Sequence, residues 1–376
     1  MGVAIDADQP PRPLQIAGRR LALVGRARVY VCGVTPYDVT HLGHAATFVW
    51  VDVAVRLLRR LGVDTEVCRN VTDVDAHLFA AAQRAGADYD AFAAVQQFWF
   101  EHDMAALGVG PPTHEPRARN FVRPVVALAA ALVDAGAGYV QDGGVFFRGD
   151  GVANRAGLDR VEALALAAEF GDAPDNPAKH DALDVAVWQR AEAGEPAWPS
   201  PWGLGRPGWH AECAAMALST YGPALDLHAG GADLRFPHHA YEAALAEAVT
   251  GVTPFARAWM HVGTVQVGGT KMAKSVGNLV LVRTLLTDHS AAPVRLLLLN
   301  RQWSQPWDYT PELLAAAEAR LEDLHAAAGR PGEAAGPEQA VLHALLADLD
   351  VPTAIDIAVE AGGRAARTVV QVLGVA

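Results

Sequence analysis

The sequence predicts an α/β protein with a parallel sheet, an inserted segment and a helical C-terminal region. Two observations carry this prediction: short apolar strand patterns alternate with helical patterns, and polar residues follow the strands directly. Such alternation is typical of parallel sheets, whose binding sites lie at the carboxyl ends of the strands. With 376 residues, 51% of them hydrophobic, the chain is long enough to bury the cores of two or three small domains.

The first strand pattern, 27–34, is apolar and β-branched, and it precedes a long helical pattern at 43–61. A second strand pattern at 65–71 leads into an alanine-rich helix. The α/β pattern resumes later in the chain, with predicted helices at 208–218 and 237–249 and predicted strands at 225–228 and 256–267.

Between these halves, the pattern changes to a helix at 118–135 and a hairpin with Asp142, Gly143 and Gly144 at its turn. We interpret this region as an insertion. The predicted organisation is a surface strap at 1–26, a parallel-sheet domain in two halves at 27–110 and 185–270, an insertion at 111–184, a lysine-containing region at 271–310, and a helical domain at 311–376 with a break at 330–332.

The charge balance argues against a large nucleic-acid interface. The chain has 30 basic and 42 acidic side chains, hence a formal net charge of −12, whereas phosphate binding depends on clustered Lys and Arg. No apolar run approaches the roughly 18–20 residues that span a bilayer. The N-terminus carries Asp6 and Asp8 and lacks the apolar segment of a secretory signal, which predicts a cytoplasmic protein.

Lysine is rare: of the 30 basic residues, only Lys179, Lys271 and Lys274 are lysine. Arg therefore serves wherever plain charge suffices, and the lysines are candidates for work that a guanidinium does poorly. Two of them lie in Lys271–Ser275 (KMAKS), after two glycines. Ammonium groups on such a loop can follow charge that develops on a triphosphate, each contributing about 3 kcal/mol. The alternative is a solvated basic turn.

A second candidate phosphate site is His41–His44 (HLGH), at the start of a predicted helix after a strand. Free N–H groups at a helix start bind phosphate, Gly43 allows close approach, and both imidazoles can donate to phosphoryl oxygens. The alternative is a pair of histidines that only cap the helix.

A third set suggests a metal. Cys32 lies near the end of the first strand, Cys213 lies in a predicted helix, and His238 and Glu242 are four residues apart on one helix face. Thiolates, an imidazole and a carboxylate suit tetrahedral zinc. The alternative is that these residues, like Cys68, are ordinary core residues. The pattern G-x-G-x-x-G at 203–208 follows no predicted strand and contains Pro207, so we do not interpret it as a dinucleotide site.

Together these segments resemble the cysteinyl-tRNA synthetase family of class I synthetases. The matching motifs lie, in order, at 30–45 (YVCGVTPYDVTHLGHA), 70–75 (NVTDVD), 194–196 (GEP), 205–213 (GRPGWHAEC), 230–239 (GGADLRFPHH) and 271–275 (KMAKS). Within this family, the chain is most similar to the branch that joins cysteine to glucosaminyl-inositol in mycothiol biosynthesis. The similarity lies in the sequence at 35–38 (TPYD) and in a short, acidic tail. The resemblance implies a Rossmann-like catalytic domain.

The resemblance also implies roles. Cysteine would react with ATP, with Mg²⁺, to give cysteinyl-AMP, and an amino-sugar amine would displace AMP, without nucleic-acid or membrane partners. The catalytic residues would be His41, His44, Lys271 and Lys274. The zinc ligands would be Cys32, Cys213 and His238, with Glu242 as a possible fourth ligand. The adenylate pocket would include Gly43, Thr47, Gly231, Val265 and Ser275. The cysteine site would include Cys32, Gly33, Val34, Thr35, Asn70, Val71, Thr72, Trp209, Ala232 and Asp233.

The chain departs from the family pattern at several points. Ala273 replaces a serine of the lysine loop, Ala76 replaces an aspartate, and 169–174 (EFGDAP) matches only partly the Glu-Arg-Gly-Gly-Asp-Pro segment near the acceptor site. Two alternatives therefore stay open: a tRNA-charging enzyme with a reduced tail, and a zinc- and cysteine-binding regulator without catalysis. The identity of the amine acceptor is open as well.

Overall fold

The structure, a computed structural model, describes residues 13–37, 40–192, 194–272, 276–332 and 334–376. The strands are β1 (Gln15–Ile16), β2 (Arg19–Arg20), β3 (Arg26–Val34), β4 (Asp64–Val71), β5 (Gly138–Gln141), β6 (Gly144–Phe147), β7 (Val185–Arg190), β8 (Trp198–Ser200), β9 (Gly203–Pro207), β10 (Leu225–Gly231), β11 (Ala256–Val262), β12 (Val265–Val267), β13 (Thr270–Lys271) and β14 (Trp307–Asp308). The helices are α1 (Leu42–Arg60), α2 (Ala76–Arg84), α3 (Tyr89–Ala106), α4 (Val122–Asp134), α5 (Val152–Arg155), α6 (Arg160–Glu169), α7 (Trp209–Tyr221), α8 (Ala240–Thr250), α9 (Val282–Asp288), α10 (Ala291–Leu299), α11 (Pro311–Gly329), α12 (Ala335–Leu346), α13 (Val351–Ala361) and α14 (Gly363–Leu373).

The centre of the fold is a parallel sheet with strand order β11-β10-β3-β4. The predicted α/β class is thus confirmed. Helix α1 connects β3 to β4 and is almost wholly buried on the sheet, with Leu42, Val49 and Leu57 among its inaccessible side chains. Its start therefore lies at the carboxyl edge of the sheet, where polar residues follow β3 and β4.

The inserted region forms its own antiparallel sheet, β5-β6-β7-β9-β8. The predicted hairpin is β5–β6, and it turns at Asp142 and Gly143, whose φ values of 51° and 79° are those of a type I′ turn, while Gly144 already begins β6. The predicted boundary at residue 184 is too early for this sheet. Strands β7, β8 and β9 belong to it because β7 pairs with β6, not with any strand of the parallel sheet.

Two further elements differ from the prediction. The single strand expected at 256–267 is instead two strands, β11 and β12, in separate sheets. Between them, the backbone of Gly263 packs against the segment 303–305: its amide donates to the carbonyl of Trp303 at 2.8 Å, and a Cβ at Gly263 would lie 2.2 Å from the carbonyl oxygen of Gln305. The helix expected at 118–135 is a short turn, Ala118–Asn120, followed by α4, because Phe121 between them is not helical.

Helices α11 to α14 form the predicted helical tail, with the chain break between α11 and α12 at the expected position. The tail packs against α1 and α10, and Arg295 fixes the contact: its buried guanidinium donates to Asp52 on α1 at 2.7 Å and to the carbonyl of Leu373 on α14. Among the described helices, none combines the length and the apolar character that crossing a bilayer requires.

Candidate active site

Close contacts between β3 and β4 build one side of the carboxyl edge. The Gly33 amide donates to Asn70 Oδ1 at 2.8 Å, and a Cβ at Gly33 would lie 1.7 Å from the carbonyl oxygen of Asn70, so glycine is required there. The hydroxyls of Thr35 and Thr72 are 2.7 Å apart, and the Thr72 amide donates to the carbonyl of Val34. The predicted cysteine-site residues of these two strands thus lie together, with Val71 buried behind them.

Cys32, Cys213 and His238 converge behind this edge, as predicted. Their sulfur and nitrogen atoms all lie within 4.8 Å of one another, and all three side chains are buried. Burial raises the pKa of both thiols. His238 Nε2 has no hydrogen-bond partner among the described residues, although a buried polar atom normally has one. Two thiols and an imidazole nitrogen that makes no hydrogen bond, 4.0 Å from Glu242 Oε2, fit a metal with tetrahedral sulfur and nitrogen ligation.

Glu242 lies beside this set but belongs to a second group, formed with Cys32, His228 and His239. One Glu242 oxygen accepts from His228 Nε2 at 3.0 Å, and the other lies 3.7 Å from Cys32 Sγ. Glu242 as a fourth ligand stays a prediction. Sequence reasoning missed His228 and His239, although His239 adjoins His238 and His228 lies within a predicted strand.

A hydrogen-bonded chain orients His238. Both carboxylate oxygens of Asp172 lie 3.1 Å from His210 Nε2, and His210 Nδ1 lies 2.9 Å from His238 Nδ1. A carboxylate only accepts, so His210 donates through Nε2, and a neutral His210 then accepts at Nδ1. With His210 neutral, His238 carries its proton on Nδ1 and presents a lone pair at Nε2. Trp209 stacks on His238 with ring centroids 4.1 Å apart.

The predicted phosphate motif begins α1. His41 is its N-cap and accepts from the Gly43 amide at 3.1 Å, and the rings of His41 and His44 stack at 3.9 Å. Burial lowers the pKa of His44 to about 4, so His44 is neutral at pH 7 and can donate one hydrogen bond without charge. Thr47 lies one turn further along the helix and is buried.

The chain around the lysine loop meets this helix start. The Leu42 amide donates to the carbonyl of Val280 at 2.9 Å, so the segment after the loop is held beside the histidines. Lys271 Nζ lies 2.6 Å from Asp233 Oδ2 and over the ring of Phe170. Asp233 follows Gly231 and Ala232, at the end of β10. Lys274 and Ser275, with Ala273, lie outside the described residues.

Not all predicted site residues share one cavity. Thr35, Trp209 and His210 line a cavity of about 850 Å³ on the side of the insertion. Ala232, Asp233 and Lys271 line a second cavity of about 330 Å³. Val265 lies on β12, in the small sheet that also contains β13, and is buried.

A parallel sheet with a histidine motif at its first helix and a lysine motif after its last strand defines the catalytic domain of a class I synthetase. Solved structures share this fold: methionyl-tRNA synthetase of Mycobacterium tuberculosis in complex with methionyl-adenylate has a TM-score of 0.62 at 18% identity, covering 93% of this chain and 82% of that one. A leucyl-tRNA synthetase from Agrobacterium radiobacter, in a ternary complex, has a TM-score of 0.63 at 10% identity, over 94% and 83% of the two chains.

The chain belongs to the family described as tRNA synthetases class I (C) catalytic domain, which it matches over residues 22–319. Its relatives include the L-cysteine:1D-myo-inositol 2-amino-2-deoxy-alpha-D-glucopyranoside ligases of Mycolicibacterium vanbaalenii, 44% identical over 90% of this chain and 81% of the relative, and Nocardia farcinica, 44% identical over 93% and 88%. The Mycolicibacterium smegmatis ligase is 43% identical over 88% and 82%. The predicted family and enzyme class, an ATP-using ligase, are confirmed.

Proposed function

We propose that this chain activates L-cysteine with ATP as cysteinyl-AMP and transfers the cysteinyl group to the amine of glucosaminyl-inositol. The observation that carries the proposal is the buried convergence of Cys32, Cys213 and His238, with His238 Nε2 making no hydrogen bond to the described residues, beside two nucleotide motifs. The relatives named above are called ligases of cysteine and this amino sugar. A cytoplasmic location is part of the same proposal.

The chain's own groups would act on ATP as follows. The positive end of the α1 dipole attracts the phosphates, and the imidazole of His41 and the neutral imidazole of His44 donate to phosphoryl oxygens. Lys271 moves from Asp233 to the phosphates, where its charge stabilises the pentavalent α-phosphorus as the cysteine carboxylate attacks. Pyrophosphate leaves, with Mg²⁺ balancing its charge. Asp233, released by Lys271, is placed to accept from the α-ammonium group of cysteine.

Zinc held by Cys32, Cys213 and His238 would take the substrate thiol as a thiolate and so favour cysteine over serine. The protein prepares this site through Asn70, whose Nδ2 lies 3.2 Å from Cys213 Sγ and stabilises a thiolate there. A site that requires one polar group of its substrate can reject an analogue without it by about 10⁴-fold.

The experiment is cysteine-dependent exchange of pyrophosphate into ATP, followed by mass spectrometry of the products with glucosaminyl-inositol. We expect exchange with cysteine, far less with serine, and a cysteinyl amide of the amino sugar. The His44→Ala variant should lose exchange and is the matched inactive control. Exchange without any amide product would contradict the proposed acceptor.

The same assay decides between the open alternatives. Purified tRNA for cysteine, added in place of the amino sugar, should remain uncharged, because the net charge of −12 disfavours a phosphate-rich partner. Charging would support the tRNA enzyme. Tight cysteine binding without any exchange would support the non-catalytic regulator.

A further inference from the structure

The large cavity on the side of the insertion extends beyond the candidate cysteine site, and most of its lining residues have no role in cysteine activation. It holds about 850 Å³, within the range of roughly 300–1,000 Å³ typical of small-molecule sites. Thr35 and Trp209 of the candidate cysteine site line it together with His210, and the inserted sheet contributes further lining residues, including Ala186 and Gln189 on β7. We call this space the insertion cavity. His44 and Lys271 do not line it, so it is separate from the nucleotide motifs.

The walls of the insertion cavity favour a positively charged ligand. Three lining side chains are cationic, and two of them are engaged: Lys179 donates to the carbonyl of Asp172, and Arg206 lies 3.4 Å from a carboxylate oxygen of Glu195. The lining carboxylates number six, namely Asp75, Asp142, Glu169, Asp172, Glu192 and Glu195. Two of these are engaged as well, Glu195 with Arg206 and Asp172 with His210, so the carboxylates still outnumber the cations. Such a field attracts amines and repels phosphates.

The same walls suit hydroxyl groups. Gln141, Asn176 and Gln189 line the cavity, and each amide both donates and accepts hydrogen bonds. Carboxylates also accept from hydroxyls. A ligand with one ammonium and several hydroxyl groups would therefore find partners on most of the surface, whereas an apolar ligand would leave them unpaired.

Asp172 identifies the end of the cavity where an amine would lie. Its carboxylate contacts His210, the neighbour of both Trp209 and His238, and its side chain is 16% exposed. An ionised carboxylate accepts about four hydrogen bonds, so capacity remains toward the cavity. A cysteine whose thiol lies at Cys32 and Cys213 has its carbonyl only three bonds away, and Thr35 and Trp209, which are predicted to surround that cysteine, line the same cavity as Asp172.

We propose that the insertion cavity binds the amine acceptor of the ligase reaction as a protonated amino polyol, with Asp172 receiving its ammonium group. The inference rests on the proposed function. After one proton leaves to cavity water, the amine lone pair forms a C–N bond to the cysteinyl carbonyl. The bond from that carbon to the adenylate oxygen breaks, AMP departs with the electron pair, and the nitrogen loses a second proton as the amide forms.

The first test fills the cavity. Ala186→Leu adds bulk to a lining position, and Ala165→Leu, on the exposed face of α6, is the matched control. We expect Ala186→Leu to leave cysteine-dependent pyrophosphate exchange within twofold and to raise the KM for glucosaminyl-inositol at least tenfold. Ala165→Leu should change neither. An unchanged KM, or a loss of exchange equal to the loss of transfer, would overturn the assignment.

The second test compares two ligands within each variant, so that altered folding or metal content cannot imitate the result. The chain is saturated with a non-reactive cysteinyl-adenylate analogue, and calorimetry gives the Kd for glucosaminyl-inositol and for glucosyl-inositol, which has a hydroxyl in place of the amine. We expect at least a tenfold preference for the amine in the unmodified chain and in Asp172→Glu, and its loss in Asp172→Asn. A preference that survives in Asp172→Asn refutes the role of Asp172.

The outcome for the unmodified chain separates this inference from the proposed function. If the unmodified chain exchanges pyrophosphate but neither binds nor modifies glucosaminyl-inositol, the proposed function is wrong in its acceptor. If the unmodified chain makes the amide, and Ala186→Leu and Asp172→Asn behave like the unmodified chain, the proposed function stands and only the role of the insertion cavity is wrong.

Discussion

Replacing His210 with Phe tests whether the Asp172–His210–His238 chain prepares a metal ligand. His210 is 2% exposed and lies parallel to Tyr241 with ring centroids 5.6 Å apart, so a Phe ring can occupy its place. The substitution removes the nitrogen that lies 2.9 Å from His238 Nδ1 and that accepts from it when His210 is neutral. Nothing then selects the tautomer of His238 that presents a lone pair to the thiols of Cys32 and Cys213.

The magnitude follows from burial. His238 is 1% exposed, and a buried donor left without its acceptor costs about 1–3 kcal/mol. That cost falls on the metal-binding tautomer, whose proton is on Nδ1. Loss of such an outer partner typically weakens metal binding 10- to 100-fold, about 1.4–2.8 kcal/mol. We therefore expect the zinc Kd of His210→Phe to rise by one to two orders of magnitude.

The assay is zinc competition with a chromogenic chelator, together with zinc content per chain by mass spectrometry. His261→Phe is the matched comparison, because His261 Nε2 lies 2.9 Å from His239 Nδ1 in the neighbouring donor group. A metal on Cys32, Cys213 and His238 predicts a weak effect of His261→Phe. If His261→Phe weakens zinc binding more than His210→Phe does, the metal lies in the other group and the reasoning fails.

Three further predictions concern the lysine loop, the helical tail and the sheet edge. Lys271→Ala should lower kcat for pyrophosphate exchange by roughly 10²–10³; steady-state exchange within threefold of the unmodified chain would contradict the role of Lys271. Arg295→Met should reduce the free energy of unfolding by about 1–3 kcal/mol, because the carbonyl groups of Leu107 and Leu373 lose their buried donor while Asp52 keeps Arg56. Arg26→Met, at an exposed pair, should stay within about 0.5 kcal/mol in the same urea titration. Gly33→Ala should lower the free energy of unfolding by about 1–3 kcal/mol, measured by thermal unfolding, and should impair cysteine-dependent exchange, because its Cβ would overlap the carbonyl oxygen of Asn70. Gly329→Ala, with open space around the added methyl group, should behave like the unmodified chain.

The sheet edge was predictable from sequence because two patterns determine it: apolar runs that indicate strands, and a helical pattern that connects them. The apolar runs before Thr35 and Thr72 identify buried strands, and parallel connection by a helix places their ends side by side. The hydroxyls of Thr35 and Thr72 are indeed 2.7 Å apart. Cys32, Cys213 and His238, far apart in sequence, meet because each lies near the end of an element at this edge.

Pairing partners and isolated histidines were not predictable in the same way. An apolar run such as β7 indicates a strand but not its neighbour, so its place beside β6 escaped the prediction. His210, His228 and His261 show no spacing pattern, because α7, β10 and β11 bring them together only through packing. The residue-type argument for metal ligands therefore selected three side chains that converge, Cys32, Cys213 and His238, and missed the imidazoles around them.

The scarcity of lysine connects these findings, since the third lysine, unassigned from sequence, has a defined place in the structure. Lys179 is half-buried, and burial lowers its pKa. Its ammonium donates to the carbonyl of Asp172, the residue that contacts His210 and faces the insertion cavity. A compact ammonium on a flexible stem can reach a single carbonyl in a crowded segment, whereas a planar guanidinium would present a wide fork of donors there. The two lysines in the described part of the chain thus each contact a residue whose carboxylate is proposed to bind a substrate amine. Lys271 contacts the carboxylate of Asp233, proposed for cysteine, and Lys179 contacts the backbone carbonyl of Asp172, proposed for the acceptor.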